Sequence, residues 1–244
     1  MIELKNLTKQ YGATLAVNHL SLSVSKGEIF GFIGPNGAGK TTTIRMMGGV
    51  LAPTEGSVVI GGINMADDPE TVKRMIGFIP DRPFLYEKLT GMEFMRFSAD
   101  LYGVDEGIFA EQTAALLKKF AIFNWAHELI ESYSHGMKQR LIISAALLHD
   151  PTVIIVDEPM VGLDPAAIKM VKDMFRELAK NGTTIFMSTH TLAVAEDICD
   201  RIGIIHRGSL IATGTMVDLK RDAGGQGADL EEVFLILTEE QTVP

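Results

Sequence analysis

The chain has 244 residues, of which 46% are hydrophobic and 22% charged, and this composition describes a globular protein with a sizeable core and excludes a disordered chain. The formal net charge of −9 argues against a protein whose main task is to grip nucleic acid, so we expect no nucleic-acid partner. The single cysteine, Cys199, excludes an internal disulfide framework. We expect it to be a small buried residue at a helix and not a reactive thiol.

The apolar stretches of the chain are short. The longest, 141–148, is far below the roughly 20 residues that a membrane-spanning helix needs. The first residues lead directly into strand-like sequence, which gives no sign of a signal peptide. We therefore expect a chain that does not cross a membrane by itself.

Two kinds of strand pattern follow along the chain. Segments that alternate apolar and polar residues predict a small, mainly antiparallel sheet, and these are 2–7, 20–24 and 57–60. Solidly apolar runs predict parallel strands covered by helices on both faces, and these are 29–33, 153–156, 184–187 and 202–205.

Helical patterns dominate the middle of the chain. Residues 90–148 have little strand character, which predicts a mostly helical insertion between two core strands, with helices at 92–101, 108–120 and 138–148. Asp164 is expected to cap a helix that begins at Pro165 and ends at Asn181-Gly182. A shorter helix is expected at 191–199.

One stretch has the pattern of a phosphate-binding loop, G-x-x-x-x-G-K-[ST], and reads Gly34-Pro35-Asn36-Gly37-Ala38-Gly39-Lys40-Thr41-Thr42. Its glycines leave no side chain between the main chain and a phosphate, so successive N–H groups can face the anion. Lys40 would bring a cation to the β- and γ-phosphates, and Thr41 would offer a hydroxyl to Mg²⁺. The alternative is a glycine-rich turn with a chance lysine, but an apolar run before it and a helical pattern after it favour phosphate binding.

A second group of polar residues follows the buried strands. Asp157 and Glu158 come directly after 153–156, and Asp157 at that strand end would complete the Mg²⁺ shell. Glu158 would orient an attacking water as a general base, which indicates a hydrolase more than a passive binder. The alternative for this pair is a helix cap or an exposed surface pair. His190 closes another apolar strand, where a γ-phosphate contact and a purely structural role are equally open.

Between these motifs lies the segment Tyr133-Ser134-His135-Gly136-Met137. Together, the motifs resemble those of the ATP-binding subunits of ABC transporters. In that family a signature usually written L-S-G-G-Q precedes the Asp-Glu strand. The likeness covers roughly residues 2–215, and its elements stand in the family's order. It implies an α/β fold: a P-loop NTPase parallel-sheet core with a flanking antiparallel β-subdomain and an inserted α-helical subdomain. We expect one ABC ATPase domain at 1–220, with its helical subdomain at about 90–148, and a short C-terminal tail at 221–244 that contains a glycine-rich loop at 224–227.

The resemblance also implies roles for single residues. Tyr11 matches the aromatic on which adenine stacks, although a core tyrosine near a turn is the alternative. Ser134 and Gly136 match signature residues that contact the γ-phosphate of ATP held by a second ATPase subunit, so a homodimer with shared sites is expected. Asp164 would communicate between the two sites, and His190 would hold the γ-phosphate and the attacking water.

Two departures from the family's pattern stand out. Asp81 follows the strand 75–79 where the family usually has Gln, and a carboxylate there can approach Mg²⁺ but cannot donate a hydrogen bond. In the signature, His135 replaces the first Gly and Met137 the Gln. Variants of this kind, together with the segment 230–234, look like subunits that serve ABC-2 type permeases, many of which are exporters.

The resemblance implies an ATPase with ATP and Mg²⁺ as cofactors. We expect it to power export through a separate membrane permease, from the inner face of the cell membrane. Phe84, Leu85, Tyr86 and Leu89 would form the docking groove for that permease, or else belong to the core of the helical subdomain. The main alternative is a soluble ABC-type ATPase acting on nucleic acid or ribosomes. A third hypothesis is a nucleotide-dependent switch that barely turns over ATP.

Overall fold

The computed structural model describes residues 1–81, 84–222 and 230–239, and its strands form two sheets. The strands are β1 (Ile2–Tyr11), β2 (Thr14–Val24), β3 (Ile29–Ile33), β4 (Glu55–Ile60), β5 (Ile63–Asn64), β6 (Ile76–Ile79), β7 (Val153–Asp157), β8 (Thr184–Thr189), β9 (Arg201–His206) and β10 (Ser209–Gly214). The helices are α1 (Lys40–Met47), α2 (Pro69–Arg74), α3 (Gly91–Tyr102), α4 (Glu106–Lys119), α5 (His135–Leu147), α6 (Pro165–Lys180), α7 (Leu192–Ile198), α8 (Met216–Asp222) and α9 (Leu230–Glu239).

The larger sheet has six strands in the order β10-β9-β3-β8-β7-β6. The pairs β9–β3, β3–β8, β8–β7 and β7–β6 are parallel, and only β10 runs antiparallel to its neighbour. Strands β3, β7 and β8 are buried at every position, as their uninterrupted apolar sequences predict for strands covered on both faces. Their carboxyl ends therefore lie along one edge of the sheet, where ligands bind in folds of this class.

The smaller sheet is antiparallel, in the order β2-β1-β4-β5, and this confirms the prediction from the alternating segments. Its apolar face packs on the larger sheet, because Ile2, Leu7 and Leu20 share a core cluster with Phe30 and Phe186. Strand β1 continues four residues past the predicted segment and ends at Tyr11. The smaller sheet thus holds Tyr11 at its end, close to the turn that leads into β2.

The helical insertion lies between β6 and β7, which are neighbours in the larger sheet. A capping box starts α3: Glu93 N donates to Thr90 Oγ1 (3.1 Å), and Thr90 N donates to a carboxylate oxygen of Glu93 (2.7 Å). The three helices of the insertion, α3 to α5, pack on one cluster that continues into the core through β7. Helix α5 begins three residues before the predicted segment because Ser134 caps it.

The remaining helices cover the faces of the larger sheet. Asp164 caps α6 by accepting from Ala167 N at 2.8 Å, as predicted, and Val171 and Phe175 of this helix are fully buried. Cys199 lies at the end of α7 with its Sγ beside Gly31, and burial raises the pKa of its thiol to about 12. Cys199 packs against the core as a partly buried residue, where a fully buried one was expected.

Some elements were not predicted from the sequence, namely β5, α2, β10, α8 and α9. Helix α9 buries Leu230 and Val233 against Ile33 and Leu219. The expected loop at 224–227 lies outside the described residues. In the part of the chain that the structure describes, every helix is too short or too polar to span a bilayer.

Candidate functional site

The loop 34–39 joins β3 to α1 at the carboxyl edge of the larger sheet. Gly39 has φ +110°, and a Cβ built there would lie 2.5 Å from the carbonyl oxygen of Ala16. Gly34 is closed to a side chain by the carbonyl of Ile205, whereas Gly37, at φ +79°, opens onto free space. Glycine is therefore needed at positions 34 and 39 because a neighbouring backbone carbonyl leaves no room for a side chain. It is needed at position 37 because the backbone there is left-handed.

Lys40, the first residue of α1, reaches back across the loop. Its Nζ donates to the carbonyl of Gly34 at 2.7 Å and to that of Pro35 at 3.1 Å. Burial lowers the pKa of Lys40, and the negative charges of Glu158 and Asp157 oppose that shift. The two carboxylates thus stabilise a cation where the loop would meet a phosphate.

Asp157 ends β7 and is buried, with both carboxylate oxygens occupied. Thr41 Oγ1 donates to its Oδ2 at 2.9 Å, and Ser188 Oγ donates to its Oδ1. Ser188 stands opposite Asp157 in the β7–β8 register, which is why these two side chains meet. Sequence reasoning paired Thr41 with Asp157 but missed Ser188, whose only signal was its place at a strand end beside His190.

Glu158 follows with a left-handed backbone, φ +52°, which is uncommon for a residue with a side chain. Its N–H donates to the carbonyl of Ser188 at 3.1 Å, and its carboxylate points to the end of β8. There Thr189 Oγ1 donates to Oε2 at 3.2 Å, and His190 Nδ1 lies 2.8 Å from Oε1. The left-handed turn therefore brings two consecutive carboxylates into one site, where a continuing strand would point them to opposite faces.

A cavity of about 360 Å³ connects these groups. The lining residues that were expected at the site are Asn36, Gly37, Gly39, Lys40, Thr41, Thr42, Asp81, Asp157, Glu158 and His190. Ala16 and Val161 line it as well, and no sequence signal marked them. Gly34, Pro35 and Ala38 belong to the loop but do not line the cavity.

A second cavity, of about 740 Å³, adjoins the first and shares Thr41, Asp81 and Asp157 with it. Tyr11 lines this second cavity with 48% of its surface exposed, so the alternative of a core tyrosine is wrong. Lys9 Nζ lies 5.3 Å from the centroid of the Tyr11 ring. An exposed ring beside the phosphate loop is available for stacking on a flat ligand.

Three of the expected site residues lie elsewhere: Ser134, Gly136 and Asp164 line neither cavity. Ser134 Oγ accepts from Met137 N at 3.3 Å as the cap of α5. Asp164 is engaged as the cap of α6. Within one chain these side chains stabilise helix starts, and they do not meet the phosphate loop.

The expected docking residues divide into two pairs. Leu85 and Leu89 pack against the core cluster that includes the helical insertion. Phe84 is 95% exposed and Tyr86 59% exposed, and the Tyr86 ring meets Phe97 of α3 edge-on at a centroid distance of 5.3 Å. The core interpretation therefore applies to the leucines, and the aromatic pair faces solvent.

A glycine-rich loop between a buried parallel strand and a helix, with its lysine near an acidic strand end, defines a P-loop nucleotide hydrolase. Residues 17–161 match the model of the ABC transporter family. The chain belongs to this family, as the order of its motifs predicts.

Relatives and solved structures agree with this assignment. The chain is 38% identical over 240 residues to the ABC-type transporter ATP-binding protein EcsA of Bacillus subtilis (strain 168), covering 98% of this chain and 97% of that protein. It is 40% identical over 222 residues to the bacitracin transport ATP-binding protein BcrA of Enterococcus faecalis, covering 91% and 71%. None of these names refers to nucleic acid or ribosomes, so the alternative function gains no support.

A solved structure of an ATP-binding subunit of an ABC transporter superimposes with a TM-score of 0.92 at 38% identity, covering 97% of this chain and 99% of that one. The dimeric post-hydrolysis structure of the ATP-binding cassette MJ0796, bound to ADP and Pi, gives a TM-score of 0.78 at 27% identity, covering 88% and 99%. The predicted fold class is confirmed. The chain is an ATP-binding and ATP-hydrolysing subunit of an ABC transporter.

Proposed function

We propose that this ATPase powers export through a separate membrane permease and that two copies of the chain share each ATP site. The observation that carries the catalytic part is the Glu158 carboxylate held by Thr189 and His190 beside Lys40 and Asp157 in one cavity. A carboxylate next to a phosphate-binding loop can accept a proton from a water that attacks the γ-phosphate. A protein that only bound ATP would have no use for that arrangement.

The same geometry supports the roles that we propose for the other residues. Backbone N–H groups of the loop 34–39 and the start of α1 face the phosphates, and Lys40 exchanges its bonds to the loop carbonyls for the β- and γ-phosphates. Tyr11 stacks on adenine in the adjoining cavity. Because Nδ1 of His190 faces Glu158, its Nε2 is the ring nitrogen that meets the γ-phosphate.

The residues also fit a magnesium ion. Thr41 Oγ1 and Asp157 Oδ2, two oxygen atoms that can serve as metal ligands, lie 2.9 Å apart, and Asp81 lines the same cavity. Mg²⁺ prefers oxygen ligands and commonly takes one or two carboxylates together with substrate phosphates. When bound, the ion neutralises charge on the phosphates, while Ser188 and Thr41 hold the Asp157 carboxylate in place.

The proposal of a shared site starts from the distance between the signature and the loop in one chain. Ser134 and Gly136 line neither cavity of their own chain, and Ser134 is exposed. In a dimer with two-fold symmetry, the signature of each copy can close the cavity of the other. The dimeric structure of MJ0796 at 27% identity supports this arrangement, and Asp164 would then lie between the two sites.

Export and membrane attachment are supported from outside the ATP site. The relative BcrA is named for bacitracin transport, and a Bacillus subtilis relative 37% identical over 242 residues is named for linearmycin resistance. The exposed Phe84, Tyr86 and Phe97 give this subunit an apolar surface that a permease loop on the inner face of the membrane could cover. The boundary of the ATPase domain near residue 220 stays a prediction.

The central test is the variant Glu158→Gln, which keeps the shape of the side chain but removes its base. We expect ATP turnover to fall about 10²- to 10⁴-fold, the range for loss of a general base. ATP should still bind, and gel filtration in ATP should show a stable dimer. Turnover at the rate of the unaltered protein would refute the catalytic role, and a monomer in ATP would refute the shared site.

A further inference from the structure

The ring of His135 lies against Gly162, and this contact joins two separate segments of the chain. His135 is the first residue of α5, and Gly162 lies in the loop between Glu158 and Asp164. A Cβ built on Gly162 would lie 2.5 Å from Nε2 of His135 and would overlap Cδ2. The edge of the imidazole thus occupies the space that any other side chain at position 162 would need.

The loop 158–164 passes directly from this contact to the catalytic cavity. Its backbone closes on itself: Val161 N donates to Glu158 O and Leu163 N to Met160 O, both at 3.3 Å. Val161 lines the cavity that holds Lys40 and Glu158. A shift at Gly162, which has φ +75°, would therefore be carried to the backbone of Glu158 through two short turns.

We propose that His135 is a positioning residue for ATP hydrolysis, whose ring fixes the loop 158–164 against the first turn of α5. This inference rests on the proposed function, in which Ser134 contacts ATP on the second copy while Glu158 acts on ATP of its own chain. A fixed distance between Ser134 and Glu158 then ties closure of one site to the geometry of the other. The unusual histidine of the signature thereby has a task that the glycine usually found there could not perform.

A double-mutant cycle tests this contact. Gly162→Ala, His135→Ala and the double variant are compared for turnover number and KM for ATP, with turnover expressed per nucleotide-binding site. Gly62→Ala, alone and with His135→Ala, is the matched control, because Gly62 also has a left-handed backbone (φ +83°) but no atom within 4 Å of a built Cβ. The control measures the cost of backbone strain without a contact to His135.

We expect Gly162→Ala to lower the turnover number about tenfold when His135 is present and less than about twofold when it is absent, within the range known for residues in contact. KM for ATP should change less than about twofold in each variant, since Lys40 and its loop are untouched. Gly62→Ala should have the same small effect in both backgrounds. Equal losses for Gly162→Ala in both backgrounds would overturn the proposal.

Urea unfolding of the same variants provides a readout that does not depend on catalysis. The loss of stability caused by Gly162→Ala should be larger with His135 present, and equal losses would mean that the contact is not made. If the two substitutions were coupled in unfolding but not in turnover, the contact would be real and the positioning role of His135 would be overturned. If the unaltered protein hydrolysed no ATP, the proposed function would fail together with this role. Normal turnover without coupling would overturn this inference alone.

Discussion

The Glu158 carboxylate and the His190 imidazole face each other at the cavity, with Oε1 2.8 Å from Nδ1. The two residues directly follow the adjacent strands β7 and β8, and the left-handed backbone of Glu158 turns its side chain toward the histidine. This bond orients both the Glu158 carboxylate and the His190 ring, so the removal of either partner should disturb the other. It also connects the two residues to which the sequence assigned catalysis.

His190→Ala should therefore lower turnover by about 10²-fold, because Glu158 loses the partner that orients it and the γ-phosphate loses a contact. The affinity for ATP should fall far less, since the phosphate loop and Lys40 remain. The matched control is His127→Ala, which removes an exposed histidine that does not line the cavity. Turnover of His190→Ala within twofold of the control would contradict a catalytic role for this histidine.

Two inactive variants should complement each other if the sites are shared. Lys40→Ala should lose ATP binding and ATP-induced dimerisation, and Ser134→Arg should block the signature surface. A mixed dimer keeps one intact site, made from the loop of one copy and the signature of the other. Mixing equal amounts should restore up to about half of normal activity, since neither variant closes a site with itself and each mixed dimer has one working site. No recovery on mixing, with both variants folded, would argue against a site completed by the second copy.

The carboxylate of Asp81 should set the magnesium requirement. Asp81→Ala should raise the Mg²⁺ concentration for half-maximal turnover several-fold, because an oxygen donor leaves the cavity. Binding of ATP without Mg²⁺ should become tighter, because one negative charge no longer repels the phosphates. Titration of turnover with Mg²⁺ at fixed ATP checks the first effect. Asp67→Ala, at an exposed position on the small-sheet side, is the control, and an identical Mg²⁺ curve for both variants would remove Asp81 from the metal site.

The thiol of Cys199 should report global unfolding. Burial raises its pKa to about 12, from a usual value of 9.0, so the native chain keeps a proton that the unfolded chain releases. Stability should therefore be unaffected below pH 9 and decline as pH rises from 9 toward 12. At pH 8 the native thiol should react with a thiol reagent far more slowly than in denaturant, because little of it is ionised in the folded chain. Rapid labelling of the native protein would show that the thiol is accessible, and Cys199→Ser provides the blank.

The parts of the fold that could be predicted from sequence are those with long hydrophobic patterns. The strand Ile29–Ile33 could be predicted because burial on both faces makes its sequence apolar throughout. The helix Pro165–Lys180 could be predicted because burial of one face gives it an apolar stripe at helical spacing. The strand Ile63–Asn64 and the helix Pro69–Arg74 are too short to show a period, so they were missed. Strand β10 was missed because its residues are mostly half-buried, which leaves neither a continuous run nor a clean alternation.

The candidate site likewise has residues that could be predicted from the sequence and contacts that could not. Motif spacing located Lys40, Asp157 and Glu158, because each belongs to a local pattern with its own strand or helix. The bond from Ser188 to Asp157 depends on the register of two strands far apart in sequence, and the contact of His135 with Gly162 depends on how a helix start meets a loop. The division of the docking segment into half-buried Leu85 and exposed Phe84 likewise arises only when the insertion packs on the core.

The packing of α9 has a practical consequence for anyone who shortens or tags this protein. Leu230 and Val233 share a cluster with Ile33, the residue directly before the phosphate loop. A chain cut before residue 230 would uncover the back of that strand, and the loss of two buried aliphatic side chains costs several kcal/mol, at about 1.5–3 kcal/mol each. Weak ATP binding by such a truncated protein would reflect a loosened strand and not a missing ligand contact. Kinetic work should therefore use chains that retain this helix.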